Sequence, residues 1–240
     1  MKNLSAFLFL AVLALVVSLS SFKGAPSIMQ EETRSLPAFT KIGLGYPAEV
    51  ILRRGNTQSV KLDGDAEQLA QLITEVKDGQ LVIKRKDQDR MFNFDTDQKR
   101  VTIYITVPQV EALSVSGSGK ILGKDSFKAT NLELAVSGSG SIKLQASVDK
   151  MSSRISGSGN IELEGEGKQS TVAVSGSGSL KGFGFKTNDA KISISGSGSC
   201  EINASSTLKS SISGSGRVFY EGQPNVDSRV SGSGKVQKRA

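Results

Sequence analysis

The tetrapeptide Ser-Gly-Ser-Gly occurs seven times between residues 116 and 234, and this repeat constrains the fold more than any other feature of the chain. Neighbouring copies start 18 to 21 residues apart. A period near 19 residues is typical of stacked structural units, because one such unit can bury its apolar side only against its neighbours. The seven copies begin at Ser116, Ser137, Ser156, Ser175, Ser195, Ser213 and Ser231.

The residues around each copy alternate as β-strands do. In the first copy, Val115 precedes the tetrapeptide and Ile121 follows it after one polar residue. Strand alternation predicts that these two side chains face one way and that Ser116 and Ser118 face the other. A helix is disfavoured, because each glycine costs about 1 kcal/mol in a helix interior. We interpret the glycines as bends where the chain approaches its own core too closely for a Cβ atom.

These patterns predict an all-β fold, a parallel β-helix or β-solenoid with coils of about 19 residues and a rung spacing of about 4.8 Å. The period is irregular, whereas a strict left-handed hexapeptide helix needs multiples of six residues throughout, so we expect a right-handed or irregular coil. A second corner in each coil varies in length and composition, which is typical of a surface loop.

The chain divides into five segments by composition. Lys2 precedes the apolar run from Leu4 to Val17, which is typical of a secretory signal peptide and too short to span a membrane comfortably. We therefore predict an exported protein with no membrane span in the mature chain. The predicted segments are a signal peptide (1–24), a flexible lead-in (25–36), an N-terminal β region continuous with the solenoid (37–110), the repeat solenoid (111–236) and a basic tail (237–240).

The N-terminal β region carries its own signals. Asp65 is a suitable cap for a helix over Ala66–Val76. The segment Lys84–Arg100 is highly charged with mixed sign and is predicted to form an exposed loop, and Val101–Val107 is predicted to be a strand. We expect this region to continue the solenoid or to cover its open end, because exposed strand edges promote aggregation.

The composition excludes several kinds of chemistry. The chain has no histidine and one cysteine, Cys200, so Ser-His-Asp catalysis, Cys-His catalysis and an intramolecular disulfide are excluded. Cys200 stands in the apolar column after the repeat and is predicted to be a small buried hydrophobic residue. We predict no cofactor and no metal. The net charge of +7 would suit nucleic acid, but export argues against that partner, and the interspersed carboxylates predict a generally solvated surface.

The first serines of the seven copies are the candidate binding residues. If the coils stack in register, they form a ladder of hydroxyl groups that suits a repetitive ligand such as a polysaccharide. The alternative is a structural role, in which small serines fit a tight corner and bond to neighbouring backbone. The candidate ladder is Ser116, Ser137, Ser156, Ser175, Ser195, Ser213 and Ser231.

A polysaccharide-active β-helix enzyme is the catalytic alternative. Such enzymes use clustered carboxylates on one face. Glu162, Glu164 and Glu166 alternate along one strand, and Glu201 and Glu133 are predicted at comparable positions of other coils. A solvated outer face explains the same pattern, and we predict a non-enzymatic protein with no catalytic residues.

Several motifs together resemble a known family. The chain contains Phe39-x-x-Ile42, Gly79-x-Leu81-x-Ile83 and a strand that ends at Val107-Pro108, followed by repeated Val/Ile-Ser-Gly-Ser-Gly-x-Ile units. This combination resembles the "putative auto-transporter adhesin head GIN domain" family of bacterial envelope proteins, over residues 38–236. The resemblance implies an exported β-solenoid with an adhesive or surface role, and it brings no catalytic residues.

Our leading hypothesis is an exported, adhesin-like or carbohydrate-binding β-solenoid of a Gram-negative cell envelope. Its predicted partners are polysaccharide or a surface or envelope protein. A second hypothesis is a periplasmic scaffold or sensor component, which would bind a protein partner through the solenoid edge or through the loop at Lys84–Arg100.

Overall fold

The computed structural model describes residues 29–86 and 101–239. The predicted signal peptide and residues 87–100 of the predicted charged loop lie outside these residues. The fold is a parallel β-solenoid of about 7 turns that follows non-repetitive strands, so the predicted fold class is confirmed. The elements are β1 Met29–Arg34, β2 Lys41–Gly45, β3 Glu49–Arg54, β4 Ser59–Asp65, α1 Ala66–Ala70, β5 Leu72–Lys77, β6 Gln80–Arg85, β7 Thr102–Val107, β8 Ala112–Gly117, β9 Lys120–Gly138, β10 Ser141–Gly157, β11 Asn160–Gly176, β12 Ser179–Gly196, β13 Ser199–Gly214, β14 Arg217–Glu221, β15 Asn225–Ser231 and β16 Lys235–Lys238.

Each of the long strands β9 to β13 makes one coil with two sides. The first part of each strand lies on what we call the opposite side, which also contains β3, β7, β14 and β16. The last part lies on the motif side, which also contains β2, β6, β8 and β15. The chain turns between the sides at the Ser-Gly-Ser-Gly motif, the motif corner, and again in mid-strand, at the variable corner.

The motif corner differs from the predicted simple alternation. Val115 and Ile121 are both buried, but they belong to the two different sides of the coil, because the chain turns between them. The first glycine of each copy has a positive φ, +107° at Gly176, which breaks the alternation of the strand. At Gly178 an added Cβ would lie 2.6 Å from the carbonyl oxygen of Gly159 in the preceding coil. The interpretation of the glycines as close-approach bends is confirmed there.

The N-terminal strands extend and cover the solenoid. β2 and β3 form one coil that inserts between other strands. β2 lies between β6 and β8, and β3 lies between β7 and β9, with parallel pairing throughout. β4 and β1 then add antiparallel strands beyond β7, and β5 adds one beyond β6. This reversal of direction ends the parallel stack, and the short, charged edge strands discourage further pairing.

The predicted helix over Ala66–Val76 is wrong in its second half. Asp65 does cap α1, and its Oδ1 accepts a hydrogen bond from the backbone nitrogen of Glu67 at 3.0 Å. The helix ends at Ala70, and the following residues form β5, an antiparallel partner of β6. Three β-branched residues in β5 favour a strand, and the turn at Asp78 and Gly79, both with positive φ, closes the hairpin.

The predicted flexible lead-in also contains a strand. β1 pairs along its whole length with β4, although its side chains are mostly polar and exposed. The Lys61 ammonium lies 2.7 Å from the Glu31 carboxylate, and this hydrogen bond raises the pKa of Lys61. Backbone pairing and one cross-strand ion pair therefore order a segment that has no apolar pattern of its own.

The core consists of columns in which each inward side chain stacks on its equivalent in the next coil. Cys200 is fully buried between Leu180 and Val218, as predicted. Burial raises the pKa of the Cys200 thiol well above its usual range, so the group stays protonated. A second column runs Phe127, Ala146, Gly165 and Phe185 at the variable corner, where two large rings close over two small residues.

Two inward positions of one column, Ser153 and Ser210, carry a hydroxyl group without a hydrogen-bond partner among the residues that the structure describes. The Ser153 hydroxyl is buried between Leu134 and Val172, and it has no hydrogen-bond partner among the residues that the structure describes. An unsatisfied buried hydroxyl costs about 1–3 kcal/mol.

We expect Ser153→Ala to raise the free energy of unfolding by about 1 kcal/mol in urea denaturation. Ser152→Ala, one residue away on the outer surface, is the control and should change it by less than about 0.5 kcal/mol; a destabilised Ser153→Ala protein would contradict the argument.

Candidate functional site

The seven predicted serines stack in register along the motif side. Each first serine of a copy is paired with the first serine of the next coil, from Ser116 in β8 to Ser231 in β15. All seven are exposed to solvent. The second serines of the copies, from Ser118 to Ser233, are exposed as well. The motif corner therefore presents two hydroxyl groups per coil.

The backbone at this corner is satisfied without the side chains. The Ser177 nitrogen donates to the Gly157 carbonyl oxygen at 2.9 Å, and the equivalent bond recurs between the other coils, at 2.9 Å from Ser197 to Gly176. Among residues 29–86 and 101–239, no ladder hydroxyl has a hydrogen-bond partner in the protein. The structural alternative combines small serines that fit a tight corner with bonds to neighbouring backbone, and such bonds are not among the described contacts.

Two further outward columns lie beside the serine ladder on the motif side. Arg154 stands between Ala135 and Ala173, and Lys191 pairs in register with Lys209. In these two columns, β10 to β13 present three cations and no carboxylate. From β8 to β15 the columns read Ser114, Ala135, Arg154, Ala173, Ser193, Ser211, Arg229 and Ala112, Glu133, Ser152, Thr171, Lys191, Lys209, Asp227.

The opposite side arranges its charges differently. Lys143, Glu162, Lys181 and Glu201 follow one another in register, so the sign alternates from coil to coil. Lys143 Nζ lies 2.6 Å from Glu162 Oε1, and this hydrogen bond raises the pKa of Lys143. The predicted evenly mixed surface thus describes the opposite side, whereas the centre of the motif side is cationic.

The glutamates weighed as catalytic candidates are not brought together. Glu133 lies on the motif side, so the prediction that it occupies a position comparable to Glu201 is wrong. Glu162 is held by Lys143, and Glu166 accepts a hydrogen bond from Ser147 at 3.3 Å, at the variable corner. In the described part of the chain, no group of three or more His, Cys, Asp or Glu side chains is placed to hold a metal ion.

Sequence reasoning missed a cleft of about 530 Å³ at the variable corner. It spans coils β9 to β13, and its lining is mainly polar. The signal for it was present in the spacing of the motif, which changes between 21, 19, 20 and 18 residues, because every change of coil length is taken up at this corner. The charged and amide side chains that line it are Asp149, Glu166, Lys168, Lys186, Asn188 and Asn203.

Within residues 29–86 and 101–239, no helix has the length and apolar character that a membrane span needs.

Together, the described surfaces offer an array of hydroxyls and cations on the motif side and a polar cleft at the variable corner. The first can hold an extended ligand by many weak contacts, whereas the second can enclose part of a small one.

Comparisons with known proteins agree with this fold. The family model described as "Putative auto-transporter adhesin, head GIN domain" matches residues 38–224. A Bacteroides fragilis protein named "putative adhesin" has a similar structure, with a TM-score of 0.82 and 21% identity, over 89% of this chain and 98% of that one. A comparison with curated proteins found no match.

Two structures from Parabacteroides distasonis are also similar. One bears the name "putative lipid binding protein", with a TM-score of 0.71 and 22% identity, over 88% of this chain and 97% of that one. The other bears the name "putative adhesin", with a TM-score of 0.72 and 20% identity, over 89% of this chain and 98% of that one. At these identities the likeness concerns the fold.

Proposed function

This chain belongs to the family described as "Putative auto-transporter adhesin, head GIN domain". From that premise we propose that it is a non-enzymatic β-solenoid that is exported to the bacterial envelope and binds polysaccharide along its motif side. Two of the three similar structures bear the name "putative adhesin", which supports an adhesive role. The apolar run at residues 4–17 supports export.

The observation that carries this proposal is the exposed serine ladder. Seven coils separated by about 4.8 Å place its first and last hydroxyls about 29 Å apart. A hydroxyl both donates and accepts hydrogen bonds, so each rung can bind either kind of polar group on a ligand. A regular array of weak contacts favours a polymer, because once one unit is bound the next is held at high effective concentration.

The charges on the motif side favour acidic polymers among polysaccharides. Arg154, Lys191 and Lys209 lie in the outward columns beside the ladder, and none of them forms an ion pair within residues 29–86 and 101–239. Like charges that face each other across neighbouring strands are destabilising. Lys191 faces Lys209 on one side and the uncharged Thr171 on the other, whereas Lys209 also faces Asp227. A bound carboxylate or sulfate group would relieve that repulsion.

We expect the purified protein to be retained on immobilised polygalacturonate, an acidic polysaccharide, at low ionic strength. The double variant Ser156→Ala, Ser175→Ala removes two adjacent rungs of the ladder and should weaken retention about 30-fold, since each of the two lost hydrogen bonds contributes about 1 kcal/mol. Binding is measured as the dissociation constant from depletion of the free protein.

The matched control removes serines from the other side of the solenoid. Ser141 and Ser199 follow the motif corner and lie on the opposite side, so Ser141→Ala with Ser199→Ala should leave retention within about twofold. Equal affinities of the ladder variant and the unmodified protein would reduce the ladder to a structural feature.

A further inference from the structure

We propose that the cleft at the variable corner is a second binding site, separate from the serine ladder, and that it takes a short neutral oligosaccharide. The cleft lies at the variable corner, the other turn of the coil from the motif corner. The serine ladder and the cleft share no residues, so different variants can test the two sites.

The cleft exists because neighbouring coils turn the variable corner differently. β9 carries two more residues than β10 between Leu122 and Ser126, where the register shifts. β12 shifts register against both of its neighbours around Phe183. Identical coils would stack their corners into an even wall, so these differences in length leave a depression over the corners of β10 and β11, with β12 and β13 along one flank.

The charged side chains of the cleft cancel one another. Its charged lining consists of Asp149, Glu166, Lys168 and Lys186, two carboxylates and two ammonium groups. Lys168 Nζ lies 2.8 Å from Asp149 Oδ1, across neighbouring coils. A charged ligand would meet an equal number of like charges, so the balance favours a ligand without net charge.

The remaining polar groups suit a ligand with many hydroxyls. Asn188 is exposed at the rim, and its Oδ1 lies 3.5 Å from the Ser205 hydroxyl, which leaves its amide nitrogen as a donor. Lys186 is exposed and forms no ion pair in the described part of the chain. Glu166 carries oxygens that accept hydrogen bonds. The cleft lining therefore offers both donors and acceptors, as a sugar with adjacent hydroxyls requires.

The cleft also has an apolar component. Val148 is almost fully buried, and Ala129 and Gly167 contribute further apolar or bare backbone surface. A sugar ring has C–H groups as well as hydroxyls, so it can lie against this surface while its hydroxyls reach the polar rim. A volume of about 530 Å³ falls within the range of small-molecule sites, about 300–1,000 Å³.

The test uses nuclear magnetic resonance of the ¹⁵N-labelled protein with cellotriose, maltotriose and mannotriose as probes at millimolar concentration. We expect at least one of them to shift the backbone amide resonances of residues 147–149, 166–168 and 186–188. The double variant Lys186→Ala, Asn188→Ala should weaken that binding about tenfold, because it removes two exposed polar contacts without touching the core.

The matched control removes the same residue types outside the cleft. Lys181 and Asn160 are exposed on the opposite side, and Lys181→Ala with Asn160→Ala should leave the affinity within about twofold. Three results would overturn the proposal: no shift at the cleft with any of the three sugars, equal weakening by the control variant, or tighter binding of trigalacturonate than of the neutral probes. If the first of these results came with shifts confined to the motif corner, the ladder proposal would still stand.

Discussion

Phe185→Ala is expected to lower the free energy of unfolding by about 3–5 kcal/mol, a large fraction of the 5–15 kcal/mol that is typical of a domain. Phe185 is fully buried and pairs in register with Gly165, which is followed by Ala146 and then Phe127. Because the two middle residues are small, the rings fill the corner from both ends, and removal of one leaves a cavity that the remaining residues cannot close. The measurement is equilibrium unfolding in urea, followed by circular dichroism.

The control for this prediction lies two residues earlier in the same coil. Phe183 is only half-buried and contacts the Arg239 guanidinium, which lies 4.6 Å from the centre of its ring. Phe183→Ala should cost about 1 kcal/mol. If both variants lose the same stability, the column of large and small residues does not hold the variable corner together.

Gly176→Ala is expected to cost about 4 kcal/mol or more. Two independent penalties add at this position. The φ of +107° is strained for any residue with a Cβ, which costs about 1–3 kcal/mol. The added Cβ would also lie 2.6 Å from the carbonyl oxygen of Gly157, which cannot move away because it accepts the hydrogen bond of Ser177. Urea unfolding measures the loss.

Gly117 separates the two penalties. It occupies the same place in the first copy of the motif and has a φ of +95°, but an added Cβ would meet nothing within 4 Å. Gly117→Ala should therefore carry only the backbone strain and cost about 1–3 kcal/mol. A loss at Gly117 as large as that at Gly176 would mean that contact between coils does not set the requirement for glycine.

The repeated part of the fold was predictable because each coil carries the same local pattern. The apolar column from Ile121 to Val236 and the buried position of Cys200 follow from alternation within a single copy of the motif. The in-register serine ladder follows from the same repetition. The N-terminal region was harder, because β1 is polar and owes its order to its pairing with β4, and because β5 begins where helical and strand patterns overlap.

Among the candidate functional residues, the sequence predicted the ladder but not the cleft. Glu162 and Glu201 each lie six residues after the first serine of a copy, whereas Glu133 lies four residues before one, and the pairing of the coils places Glu133 on the other side. The cations at Arg154, Lys191 and Lys209 are scattered along the chain and gather on one side only after the coils stack.

The sequence by itself determined that the chain coils, where each coil turns and which residues face inward, because these properties repeat with a period that local alternation and glycine placement specify. Only the tertiary structure decided that the coil of β2 and β3 inserts between later strands, that the motif side has a cationic centre, and that the variable corner holds a cleft. The physical reason is that these features depend on the register between segments that are far apart in the chain. A difference of one or two residues in coil length is minor in the sequence, but it displaces the neighbouring side chains at the variable corner.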